Sequence, residues 1–238
     1  MFLTVKLERY SKPGWCALCK APLLFIVDLT VKVIIFDFDG TIADSFEAVL
    51  TISNRLAVEF GYPPTPRSAV DELKNLSSRE ILRRSRVPLF KVPFLMRRLR
   101  IELKREIAHL QPIPGIKEAL LELKRQGHHL GIVTSNSRQN VVAFLNAQGM
   151  KDLFDFIDSG FTLFGKGRII QRILHQNRID PAIAIYVGDE TRDVEAARKI
   201  GIRVIAVCWG FNSCAVLAAQ KPDFLIHQPA ELLVAAAQ

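Results

Sequence analysis

No uninterrupted apolar stretch of about 20 residues occurs, the length a helix needs to cross a bilayer. Ala21 to Phe36 comes nearest and is broken by Asp28 and Lys32, so no membrane partner is expected. A secretory leader is not expected either, because Met1 to Arg9 alternates charged and apolar residues, and a cytoplasmic location follows. Cysteine is scarce, with four in 238 residues, which excludes a disulfide scaffold and points to a reducing compartment. Cys16 and Cys19 form a CxxC, but structural zinc takes four ligands and no second pair stands nearby. Cys208 and Cys214 are expected as free thiols, one ending a strand and one in the loop after it, and the adjacent His128 and His129 as surface residues. Acidic residues are in deficit, 24 against 32 Lys and Arg, for a net charge of +8. The surplus gathers between Arg79 and Arg105 and suits a solvated helix face first. An electropositive funnel for small anions comes second. A nucleic-acid partner is disfavoured, since no exposed aromatics are expected among the basic residues.

What is present is an alternation of strand and helix patterns. A chain of 238 residues is long enough for one α/β core with an inserted subdomain. Val31 to Phe36 reads as a β-branched, buried strand, and further strands are predicted at 129–134, 154–159, 183–187, 203–209 and 224–227. Between them lie helical stripes such as Ile116, Ala119, Leu120 and Leu123 before Gly127, and Val194, Ala197 and Ile200 before Gly201. Such βα alternation predicts a doubly wound parallel sheet. Residues 46–110 break the alternation. Val49, Ile52, Leu56 and Phe60 run at helix spacing, a Pro-rich turn follows, and no strand pattern appears before the Pro112-Ile113-Pro114-Gly115 linker. The expected organisation is a core from 31–45 and 111–238 interrupted by helices over 46–110. Residues 1–30 are left open as an edge element, a disordered tail or the product of an upstream start.

Chemistry concentrates where the predicted strands end. Asp37 and Asp39 follow the first strand, and two carboxylates about 4 Å apart repel by about 4 kcal/mol at an effective dielectric of about 20. A hard divalent cation with oxygen ligands relieves that repulsion, and magnesium suits a site shared by carboxylates and a phosphate. Asp37 is then placed as a nucleophile and Asp39 as an acid and base. Gly40 permits the following turn, whose amides are expected to face the cavity as anion donors. The strand at 129–134 leads into Ser135 and Asn136, with Ser135 or Ser137 also able to serve only as a helix cap. Lys166 lies between two glycines ahead of an amphipathic segment, and the strand at 183–187 stops at Gly188 and Asp189 with Glu190 and Asp193 close behind. Each feature alone has an ordinary surface or capping explanation.

In order along the chain, DxDGT, then Ser/Thr after a strand, then Lys, then GDxxxD, this set resembles the haloacid dehalogenase superfamily from about Val31 to the last strand. The resemblance implies a Rossmann-like core with a helical cap over 46–110, and a small soluble phosphate monoester as substrate. It implies Asp37 as nucleophile, Asp39 as general acid/base and Lys166 as the group that neutralises phosphate charge. Gly40, Thr41, Ser135 and Asn136 would bind phosphate. Magnesium would be held by Asp37, Asp39 through its main-chain carbonyl and Asp189, with Asp193 or Glu190 as further candidates. Asp39 favours phosphorus over carbon chemistry. The phosphoglycolate phosphatase group is the nearest in character, although Gly167 stands where that group often has proline. A sugar phosphomutase, or a catalytically silent binding protein on the same scaffold, is the alternative. Oligomeric state is not legible.

Overall fold

The computed structural model describes residues 31–160 and 165–238, so the 1–30 extension with Cys16 and Cys19, as well as Phe164, lies outside the described residues. Six parallel strands form one sheet: β1 (Val33–Phe36), β2 (His129–Thr134), β3 (Phe156–Ser159), β4 (Ala184–Gly188), β5 (Arg203–Val207) and β6 (Phe224–Ile226). Their spatial order is β3-β2-β1-β4-β5-β6. The chain thus builds outward from β1 to one edge, returns, and builds from β4 to the other. The switch point where ligands bind in such sheets lies between β1 and β4.

The strand pattern also divides the core. Ile34 and Phe36 point into one apolar layer with α5 (Ile116–Arg125), α6 (Arg138–Ala147) and α10 (Glu231–Ala237). Val33 and Ile35 point into the other, with α7 (Lys166–Gln176), α8 (Thr191–Ile200) and α9 (Cys214–Ala219). Ile34, Ile35 and Phe36 are fully buried, each contributing about 1.5–3 kcal/mol of hydrophobic stabilisation. Val31, expected in the strand, instead lies before it and is exposed, because β1 begins only where pairing with β2 and β4 begins.

Residues 46–110 contain no strand among the described residues; they form α1 (Phe46–Phe60), α2 (Val70–Lys74), α3 (Ser78–Ser85) and α4 (Val92–Glu106). The helices start and stop on local signals. Gly61 takes a left-handed conformation to end α1, and Ser77 and Glu80 form a reciprocal capping box at α3. Ile52, Leu56 and Leu103 of α1 and α4 extend the first core layer. The two connections to the core run side by side, with the Asp44 amide donating to Gln111 O at 2.9 Å and the Ile113 amide to Ile42 O at 2.9 Å.

Much of the basic stretch is paired: Arg84 meets Glu72, Arg98 meets Glu59 and Glu102, and Arg105 meets Glu102. The pairs exposed on both sides, Arg84–Glu72 and Arg98–Glu59, contribute at most about 1 kcal/mol each, whereas Glu102 is buried. Phe90 and Phe94 are exposed among these residues, which corrects the expectation that no exposed aromatics interleave there. Two further expectations are corrected. His128 is buried, not on the surface, because its Nδ1 accepts the Lys32 amide (3.2 Å). Cys208 and Cys214 are not free thiols, since the chain folds back after β5 and brings them together as a disulfide, with Cys214 opening α9.

Candidate active site

Asp37 leaves the end of β1 with its amide still donating to Val187 O of β4 (2.8 Å), so its carboxyl group is fixed at the switch point. One carboxylate oxygen accepts the Phe38 amide at 2.7 Å and the other accepts Lys166 Nζ at 2.6 Å. Lys166 opens α7, is almost fully buried, and also donates to Asp193 Oδ1 at 2.5 Å. Burial alone would lower the Lys166 pKa, but the charges of Asp193 and Asp37 outweigh it and hold the ammonium above its ordinary value. A lysine so placed stays charged.

Asp189 ends β4. Its Oδ1 accepts the Thr41 hydroxyl at 2.7 Å and its Oδ2 the Phe211 amide at 2.7 Å. Burial, with the negative charges of Glu190 and Asp37, pushes its pKa well up. Asp193 follows on the first turn of α8, and burial raises its carboxyl group to about 6. The Asp37, Asp189 and Asp193 carboxylates offer oxygen atoms all within 4.8 Å of one another. Backbone space is tight here. Gly40 sits at φ +75°, where a Cβ would strike Asp189 and the Phe211 ring, and a Cβ on Gly188 would strike Asp193.

Asp39 stands apart from that trio. Its two carboxylate oxygens accept Asn136 Nδ2 at 3.2 and 3.0 Å, and Asn136 is itself fixed by donations to its Oδ1 from the Ser137 amide and Asn140 Nδ2. Burial, then the neighbouring Asp37 charge, raises Asp39 to about 7, a value suited to giving up and taking back a proton near neutrality. Ser137 caps α6 through its Oγ, which leaves Ser135 half-buried on the turn beside the site. Thr134, fully buried, accepts the Asn136 amide on its hydroxyl at 3.0 Å.

Two of the expected placements are corrected by this geometry. The Gly40 and Thr41 amides do not face the cavity, because they close the turn onto Ala43 O and Phe38 O, and the Thr41 hydroxyl is committed to Asp189. Glu190 turns away from the carboxylate trio to Arg192 and Ser78 of α3, the latter donating at 2.6 Å. Burial would raise the Glu190 carboxyl, but Arg192 and Lys166 outweigh it and hold it below the ordinary range. Arg192 itself escaped the sequence reading. Its side chain is 17% exposed, its Nε is buried with no hydrogen-bond partner among the described residues, and the charges of Glu190, Asp193 and Asp37 hold it firmly protonated despite burial. Nothing in an arginine after a GDxx string marks it as inward-facing; only the α8 register does.

Five acidic side chains, Asp37, Asp39, Asp189, Glu190 and Asp193, share the site with the cations of Lys166 and Arg192. The donors are all hard oxygens, so the residues present fit a magnesium ion.

The profile of the haloacid dehalogenase-like hydrolases matches residues 34–207, a span containing every residue of this site up to Asp193. The chain belongs to that family. It is 41% identical over 208 residues to a phosphoglycolate phosphatase of Synechococcus elongatus, covering 87% of this chain and 98% of that protein. It is 28% identical to the pyrophosphatase PpaX of Bacillus thuringiensis, over 86% of this chain and 96% of the other. Among solved structures, a haloacid dehalogenase-like family hydrolase from Streptococcus pneumoniae superposes with a TM-score of 0.70 at 25% identity, over 86% of this chain and 98% of its own.

Proposed function

We propose that this phosphatase of the haloacid dehalogenase family hydrolyses a small phosphate monoester, phosphoglycolate or a close analogue, through an aspartyl-phosphate formed on Asp37. The observation that carries the reading is the division of labour between two aspartates. Asp37 is paired with and oriented by Lys166 at 2.6 Å, while Asp39 is raised to about 7 and aimed by Asn136. In the first step an Asp37 oxygen bonds to phosphorus, the bond from phosphorus to the ester oxygen breaks, and Asp39 gives its proton to the departing oxygen. In the second, Asp39 takes a proton from the water that attacks phosphorus, and the Asp37 carboxylate is released with inorganic phosphate. Lys166 offsets negative charge on the phosphoryl oxygens, with the Ser135 hydroxyl and the turn before α6 beside them. Asp37 and Asp189, with Asp193, would hold magnesium, which supplies charge neutralisation and polarises a phosphoryl oxygen.

The preference for phosphoglycolate rests on the 41% identity to a protein of that name and on Arg192, whose unpartnered, buried Nε–H suits a second anionic group on the substrate. Helices α1 to α4, tied to the core by the Ser78–Glu190 contact, would serve as a cap that excludes bulk water.

The test is phosphate release from phosphoglycolate, sugar phosphates and nucleotides, with magnesium or with EDTA, comparing the wild type with Asp37→Asn. Release is expected only with magnesium and intact Asp37, fastest on phosphoglycolate. Transfer of phosphate between two positions of a sugar phosphate, without release, would replace this reading with the mutase.

A further inference from the structure

The segment between Cys208 and Cys214 is closed by the disulfide, and it carries the outer support of Asp189. Inside it the Phe211 amide donates to Asp189 Oδ2 at 2.7 Å, the Asn212 amide to Asp189 O at 3.2 Å, and Trp209 Nε1 to Thr41 O at 3.2 Å. The same few residues grip the helical insertion. Asn212 Nδ2 donates to Leu76 O at 2.9 Å, the Ser213 amide to Lys74 O at 2.8 Å, and the Phe211 ring packs edge-on against Phe46 of α1. Asn212 Oδ1 meanwhile accepts the amide of Thr191, which opens α8. One short loop therefore holds an aspartate of the site, the start of α8 and the insertion at once.

The bond that closes this loop is within reach of solvent. Both cysteines are only partly buried, and exposed His227, just after β6, places Nδ1 at 3.6 Å from Cys214 Sγ. We propose that Cys208–Cys214 is a reversible thiol–disulfide modification site whose reduction loosens the loop and weakens the hold on Asp189. A dithiol supplies the two electrons. Its thiolate attacks Cys208 Sγ, the Cys208–Cys214 bond breaks, and Cys214 leaves as a thiolate that takes a proton relayed by His227. The second thiol of the reductant then displaces Cys208, so that two protein thiols and one oxidised reductant result. Reduction removes no atom from the catalytic pocket; it releases the tether that presents the Phe211 amide. Loss of such outer-shell support at metal-binding carboxylates typically costs about 10- to 100-fold in metal affinity or activity.

The experiment compares full-length protein as purified, after dithiothreitol, and after reoxidation, beside Cys208→Ser/Cys214→Ser. Alkylation with peptide mapping separates this pair from Cys16 and Cys19. The expected result is that both thiols become alkylated only after reduction. Hydrogen exchange at the Phe211 amide should rise with reduction, and the magnesium needed for half-maximal phosphate release should rise about tenfold. Both changes should reverse on reoxidation, and the double serine variant should match the reduced protein under all conditions. The proposal is overturned if Cys208 and Cys214 alkylate without reductant. It is also overturned if reduced and oxidised protein share the same Phe211 exchange and magnesium requirement, or if the double variant still responds to dithiothreitol. Alkylation and exchange are read without substrate, so they stand apart from any failure of the phosphatase reading.

Discussion

Replacing Lys166 by Met removes the one ammonium that meets both Asp37 and Asp193, at 2.6 and 2.5 Å, and leaves a side chain of similar length in its place. The three groups are between 0 and 4% exposed, so solvent cannot screen the change. Breaking a buried ion pair by deleting one partner costs about 3–5 kcal/mol, because the remaining charge stays desolvated and unpaired. Against a total stability of about 5–15 kcal/mol this is a large fraction. At about 2–4 °C per kcal/mol for a chain of this size, Lys166→Met should lower Tm by about 6–20 °C. The assay is thermal unfolding by circular dichroism in EDTA, without substrate, so that only the ion pairs differ. Adding Asp193→Asn deletes one stranded charge and should recover at least about 1 kcal/mol, measured as a coupling in the double-mutant cycle. A Lys166→Met Tm within 2 °C of wild type, or no recovery in the double variant, would refute the view that removing this ammonium strands buried, unpaired charge.

Asn136→Ala takes away the donor that aims Asp39; kcat should fall about tenfold or more with little change in KM, and an unchanged kcat would remove Asn136 as a positioning residue. Arg192→Gln should lower kcat/KM for phosphoglycolate at least about tenfold while a phosphate monoester of an uncharged alcohol loses less, and equal losses on both would show that Arg192 does not read the second anion. His128 supplies a stability signal in pH. Burial first, then the Lys32 and His129 charges, lowers its pKa below the usual 6.5, so the folded state binds its proton less well than the unfolded chain. That contribution is complete above pH of about 6.5 and is lost as pH falls toward the lowered folded value. Urea titrations at descending pH should show it, with a shallower fall in His128→Asn; parallel curves would contradict the assignment.

The parts of the site legible in the sequence are those where a residue type conflicts with its setting. Asp37 and Asp189 each directly follow a fully buried strand, and a strand driven by burial gives no other reason for a carboxylate there. Lys166 was readable from its place in an ordered set of motifs, although its flanking glycines reveal nothing of its burial. The alternation of Ile34 and Phe36 with Val33 and Ile35 foretold a sheet covered on both faces, and both layers are present. What stayed hidden was the support. The Phe211 donor to Asp189 is a main-chain amide, which has no letter of its own in a sequence. For Thr41 the family resemblance implies a phosphate contact, and only the fold shows its hydroxyl within 2.7 Å of Asp189. Cys208 and Cys214 face each other because the chain turns between them, and His128 is buried by its pairing with Lys32 across the sheet.

The side-by-side connections at Ile42–Asp44 and Gln111–Ile113 give the molecule a particular tolerance. Seen from the sheet, everything between them is a closed excursion whose two ends are already held together, and the entropy of closing a flexible excursion grows only as the logarithm of its length. Doubling it costs about 0.6 kcal/mol. The length of that excursion can therefore change at little entropic cost to β1, provided its contacts through Phe46, Lys74, Leu76 and Ser78 to the 209–213 loop and Glu190 are kept.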